Sequence, residues 1–112
     1  MIDIAGRIAG NRAGDRVGMA RCCTANAHVS RAVLLHARDT GGAEVIQATS
    51  NQVNQEGGYP GMTSADFIGW IGGLAADAGV TMDAIIPGGD HLGPDPWRAE
   101  PAMDNGREMV RL

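Results

Sequence analysis

The chain has 112 residues, 44% of them hydrophobic, with 13 acidic and nine basic side chains for a net charge of −4. That size allows one domain, able to bury about two-thirds of its unfolded surface, and the hydrophobic share argues against disorder. No basic footprint marks nucleic acid or an anionic membrane as a partner. All nine basic residues are arginine, so this chain holds no lysine for a Schiff base.

Met1 to Gly14 is rich in Ala, Gly and Arg, and Ile2, Ile4, Ala5 and Ile8 predict one short amphipathic helix that Asn11 to Asp15 breaks. Asp3 and Arg7 interrupt any apolar core of a signal peptide. No run approaches the ~20 apolar residues of a membrane span, and the expected location is the cytoplasm. The first strand is expected near 17–22. It ends in Cys22 and Cys23, an adjacent pair that disulfide geometry does not favour. They read as reduced, inert core thiols.

Asn26 is placed to cap a helix near 28–38. Val29, Ala32, Val33 and His36 fall on one face at helical period, with His36 read as a packing histidine, and Gly41-Gly42 stops the helix. The second strand, near 43–48, centres on Val45-Ile46 and is expected to be apolar throughout, as a buried parallel strand is. A long loop then carries Ser50, Asn51, Gln52, Asn54, Gln55, Gly57, Gly58 and Tyr59. Side-chain amides donate and accept without charge, which suits the hydroxyls of a polyhydroxy ligand. Gly57 and Gly58 would let backbone N–H groups approach a phosphate, as an anion nest does. The alternative is an ordinary polar surface loop.

Thr63-Ser64-Ala65-Asp66 has capping-box form at the start of a helix near 63–78. Phe67, Ile68, Ile71, Leu74, Ala75 and Ala78 form its stripe, and Gly79 ends it. Gly69, Gly72 and Gly73 each cost about 1 kcal/mol relative to Ala, so packing must hold this helix. Trp70 reads as a packing residue. The third strand, near 84–88, contains Pro87, which belongs at an edge or bulge. Gly89 to Glu100 forms a second functional-looking loop, with Asp90, His91 and Trp97. Trp97 reads as a sugar-stacking face or as a packing anchor. Pro101 opens a third helix, near 101–112. Strands alternating with helices in this order predict a parallel α/β fold.

Two stretches carry a resemblance. ATSNQVNQEGGYPGMTSADF, spanning 48–67, and GGDHLGP, spanning 88–94, resemble the non-catalytic (Z-type) subunit family of class II D-tagatose-1,6-bisphosphate aldolase. The likeness runs from about Gly14 to the C-terminus. Members are several times longer and fold as (β/α)8 barrels. The resemblance therefore implies a partial TIM barrel, residues 1–112 being its N-terminal fragment with the first three βα units. Three strands leave both sheet edges open, and self-association through them is expected.

The resemblance also implies roles. The family's subunit supports a zinc-dependent catalytic aldolase subunit in galactitol and N-acetylgalactosamine catabolism, and the ligand is a sugar phosphate. By analogy with that catalytic partner, Asp90 is the acid/base. His91, with His28 from an Ala-His step in the first loop, is a zinc ligand, although a catalytic zinc needs about three protein ligands. A second implied function is a metal-dependent ketohexose-phosphate 4-epimerase. A third reading is a truncated remnant without activity. Two positions depart from the family pattern, Gln47 where Glu is usual and Pro87 where an aliphatic residue is usual. Some relatives carry a kinase label, but a lysine-free chain has no phosphate-binding G-x-x-x-x-G-K-[ST] loop.

Overall fold

Side chains that the sequence places at helix ends set the boundaries of the elements. A computed structural model describes residues 2–99. The helix expected over 101–112 lies outside the described residues. Helix α1 (Ile4–Arg12) starts at Asp3, whose carboxylate accepts from the Gly6 N–H at 2.8 Å. No residue of α1 is buried. Ile4 and Ile8 stay exposed, so the apolar face of this helix packs on nothing described.

Strand β1 (Arg21–Cys23) begins four residues later than expected. The carbonyls of Val17 and Gly18 are taken by Asn11 and Arg7 of α1, which pulls that stretch away from the sheet. Pairing starts at Ala20, whose carbonyl accepts from the Val45 N–H. Thr24 continues it by donating its N–H to the Gln47 carbonyl.

Helix α2 (Ala27–Thr40) is capped by Asn26, whose Oδ1 accepts from the N–H groups of His28 and Val29. It ends at Gly41 in the left-handed region. Its buried face is Ser30, Leu34 and Ala37, with Val33 of the expected stripe partly buried against the same core and Val29, Ala32 and His36 exposed. Small side chains flanking Leu34 allow a close approach to neighbouring elements, and Val29 is left exposed. His36 is a surface residue rather than a packed one. Its Nδ1 sits 2.8 Å from Glu44 Oε1, with the His36 side chain 65% exposed.

Strands β2 (Glu44–Thr49) and β3 (Ile85–Asp90) complete a three-stranded parallel sheet in the order β1-β2-β3. Ile46 is opposite Cys22 on one side and Pro87 on the other, and Thr49 is opposite Asp90. Burial alternates along β2, with Glu44, Ile46 and Ala48 buried and Val45, Gln47 and Thr49 less so. The expected uniformly buried strand is thus corrected, because the described helices cover one face only. Ile46 and Ile85 belong to that covered face, in one core with Leu34, Ala37, Val53, Phe67 and Ile71. They do not point into a barrel interior. Pro87 sits on an outer strand of the described sheet, where a missing donor is tolerated.

Helix α3 (Ser64–Ala78) opens with the expected capping box. Thr63 Oγ1 accepts from the Asp66 N–H, and Asp66 Oδ2 accepts from the Thr63 N–H. Phe67, Ile71, Ala75 and Ala78 are buried. Trp70 stacks on Phe67 with ring centroids 5.8 Å apart. Short 3-10 turns, Met82–Ala84 and Asp95–Trp97, precede and follow β3. Parallel strands alternating with helices are consistent with the opening part of a (β/α)8 barrel. No described helix is long and apolar enough to cross a membrane.

Candidate functional site

Both singled-out loops leave the C-terminal ends of β2 and β3, where parallel α/β folds hold their ligands. The backbone brings them together. Thr49 and Asp90 are register partners, and Ser50 Oγ donates to the His91 carbonyl at 3.3 Å. A cleft of about 360 Å³ lies between Asn51, Asn54, Glu56, Gly58 and Tyr59 of the first loop and Pro96 of the second. Such a volume fits a small ligand. A larger hollow, about 600 Å³, opens beside α1 and residues preceding β2 and β3. It lies at the opposite ends of the strands, away from both loops, and is less suited to the chemistry.

Much of the first loop's polarity is spent on itself. Asn54 is 4% exposed. Its Nδ2 donates to the Ser50 carbonyl at 2.7 Å, and its Oδ1 accepts from the N–H groups of Glu56 and Gly58. The Gly57 N–H is given to the Asn54 carbonyl. The amides of Gly57 and Gly58 are thus committed inside the loop rather than offered to an anion. Gly58 has φ +54, and a Cβ there would strike the Gln52 carbonyl, so the turn closes only without a side chain. Ser50 is buried. Gln55 Oε1 is buried without a hydrogen-bond partner among the described residues.

Gln52 ties the loop to the strands. Its Oε1 accepts from the Thr49 N–H at 2.8 Å and from Cys23 Sγ at 3.6 Å. Its Nε2 donates to the Tyr59 hydroxyl at 3.3 Å. Asn51 and Tyr59 remain exposed at the cleft. The Asn51 side chain makes no hydrogen bond to a described residue, and its carbonyl accepts from the Tyr59 N–H.

The second loop is held more loosely. His91 has φ 48, a left-handed conformation that ends β3 directly after Asp90. Its side chain is 83% exposed, and its Nε2 lies 3.9 Å from Asp90 Oδ2. Arg98 is bound to Asp95, which leaves that guanidinium partly neutralised. Trp97 is buried and acts as an anchor.

Cys23, read from sequence as an inert core thiol, is exposed at this rim. It shares a register row with Gln47 and Gly88. Burial first, and then the Asp90 carboxylate, push its thiol up from the ordinary value. The signal was available: successive strand residues face opposite ways, so one of Cys22 and Cys23 had to leave the core. Gln47 donates Nε2 to the Gly89 carbonyl, and its Oε1 is buried without a described partner.

Zinc needs about three ligands at short range. Asp90 and His91 supply one carboxylate and one imidazole, while His28 lies at the first turn of α2 with its backbone engaged by Asn26. Among the described residues no group of three His, Cys, Asp or Glu side chains converges. These residues do not by themselves fit a zinc site.

Comparisons with known proteins bear on the family. Residues 4–112 match the family model for the D-tagatose-1,6-bisphosphate aldolase subunit GatZ/KbaZ-like. The chain is 46% identical over 96 residues to a D-tagatose 6-phosphate 4-epimerase of Agrobacterium fabrum, a match covering 86% of this chain and 23% of that protein. It is 42% identical over 107 residues to the D-tagatose-1,6-bisphosphate aldolase subunit GatZ of Salmonella paratyphi B, covering 93% and 25%. A crystal structure titled as a probable tagatose 6 phosphate kinase from Sinorhizobium meliloti 1021 superposes with a TM-score of 0.79 at 40% identity, over 84% of this chain and 25% of that one. The chain thus spans about a quarter of the length of these relatives. With its anchors at 48–67 and 88–94 on adjoining loops and the family match running from residue 4, the chain belongs to the GatZ/KbaZ-like family of D-tagatose-1,6-bisphosphate aldolase subunits.

Proposed function

We propose that this chain supplies the opening, ligand-facing part of an aldolase subunit that supports a separate catalytic subunit acting on a phosphorylated ketose. The observation that carries the reading is the shared cleft: two loops separated by some forty residues of chain meet over the ends of β2 and β3. In this reading Asn51 and Tyr59 bind sugar hydroxyls, which is supported by their exposure on the cleft lining while Asn54 is consumed within the loop. Asp90 is the proton-transfer group of the reading, at the end of β3 and 22% exposed. Among the described residues β1 and β3 are the outer strands of the sheet, and their edges are where further strands or a partner would pair.

The test is reconstitution. The chain is mixed with a catalytic tagatose-bisphosphate aldolase subunit, and cleavage and thermal inactivation are followed. A longer half-life and faster cleavage are expected, together with co-elution. Unchanged kinetics and separate elution would overturn the reading.

A second reading rests on the 46% identity to the Agrobacterium 4-epimerase. It expects the chain alone to convert D-tagatose 6-phosphate to its C4 epimer, D-fructose 6-phosphate. Absence of that product, with divalent metal supplied, sinks it.

A further inference from the structure

We infer that Gln52 is a positioning residue that fixes the direction of the Tyr59 hydroxyl proton, making the phenol a hydrogen-bond donor to an oxygen of the bound ketose phosphate. The inference rests on the proposed sugar-phosphate reading of the cleft and assigns a division of labour within it.

The orientation of the Gln52 amide is decided by its neighbours. The Thr49 backbone N–H can only donate, and it lies 2.8 Å from one end of the amide, so that end must be the oxygen. Cys23 Sγ, 3.6 Å from the same atom, is a second donor. The thiol keeps its proton because burial and Asp90 both disfavour the thiolate. The other end of Gln52 is therefore NH2, and it faces the Tyr59 oxygen at 3.3 Å. A phenol oxygen that accepts from Gln52 has its own proton left over. That proton is aimed away from Gln52, and the ring is 73% exposed at the cleft rim.

Tyr59 is also tethered through its backbone, since its N–H donates to the Asn51 carbonyl at 3.0 Å. The preceding Gly58 packs against the Gln52 carbonyl where no Cβ fits. A donor held in this way loses little freedom when a ligand arrives, which is how preorganisation raises affinity. Both lone pairs of Gln52 Oε1 are taken, and its Nε2 keeps one N–H beyond the one given to Tyr59.

Tyr59 is the single tyrosine of the chain, so the tyrosine doublet in the Raman spectrum reads this phenol alone. Gln52→Glu keeps the acceptor for Thr49 and Cys23 but presents Tyr59 with a carboxylate, and the phenol proton turns inward. The doublet is expected to move to the pattern of a strong donor. Affinity for D-tagatose 6-phosphate, by calorimetry on the 112-residue chain, is expected to fall about tenfold, the equivalent of one hydrogen bond. Tyr59→Phe should lose about as much. In the Tyr59→Phe background Gln52→Glu should cost nothing further, whereas simple charge repulsion would still act there. An unmoved doublet, additive losses, or full affinity in Tyr59→Phe would each overturn the inference. Should Gln52→Glu fail to fold, Gln52→Met, which removes the amide and keeps the length, takes its place, and a doublet and an affinity unchanged from the unaltered chain would overturn the inference. D-Tagatose and inorganic phosphate serve as separate probes, and weakening of only one names the oxygen that Tyr59 reaches. If the unaltered chain binds none of the three, the sugar-phosphate reading fails, while the doublet still reports whether Gln52 orients the phenol.

Discussion

The two loops over the strand ends are built on opposite plans. The loop after β2 is a closed circuit: Asn54 ties Ser50 to Glu56 and Gly58, and Gln52 ties Thr49 and Cys23 to Tyr59. The loop after β3 leaves its imidazole 83% exposed, on a left-handed residue with one long contact to Asp90. A row of amides is thus not a row of ligand contacts. Some of these side chains are rigging, and only those left over at the cleft can meet a substrate.

The contrast can be broken at several points. The largest effect is expected from Gly58→Ala, which adds a left-handed alanine and a collision with the Gln52 carbonyl. A loss of about 3 kcal/mol follows from strain plus clash, read as a lower urea midpoint. An unchanged midpoint would mean the circuit is slack. Asn54→Ala strands the Ser50 carbonyl and two N–H groups in a buried setting, at about 2 kcal/mol. If the loop instead rearranges at no cost, the rigging picture fails.

Asp90→Asn tests the convergence of the rims. Removing the carboxylate lets the Cys23 thiol fall toward its ordinary value, though burial still holds it up. More thiolate at neutral pH gives faster alkylation of Cys23, measured by mass spectrometry against Cys22. The smallest effect concerns the exit of the first loop into α3. The Thr63 hydroxyl, and then its backbone N–H, hold Asp66 below the usual carboxylate range. A depressed group stabilises the fold above its unfolded value, and that contribution is lost as pH falls through the folded one. Acid titration of the native chain should therefore show a small decline in stability that Asp66→Asn lacks.

Local signals are legible in the sequence. Asn26, Gly41, Gly79 and the Thr63–Asp66 box announce helix ends through short-range chemistry, and the alternation of strand and helix announces a parallel sheet. Tertiary information was not readable in the same way. The α2 stripe was misplaced because Ser30 and Ala37 are buried for their smallness, which hydrophobic periodicity does not score. Strand periodicity gives alternation without saying which face the helices take, so the sequence alone does not say that Ile46 and Ile85 face them. At the site, sequence brought out the residue types but not their partners. Asn54 looked like Asn51 until the fold buried one and exposed the other. Cys23 was overlooked because its neighbours, Gln52 and Asp90, are distant along the chain.

β2 is flanked on both sides by strands, whereas β1 and β3 each touch only β2 among the described residues. A shift at Cys23 reaches Asp90 through Gln47 and Thr49 or around the Gln52 link, and both routes are anchored on the same central backbone. Shaving Ile46 beneath that backbone would tilt both rims together. A lesion deep in the core would then masquerade as a defect of recognition.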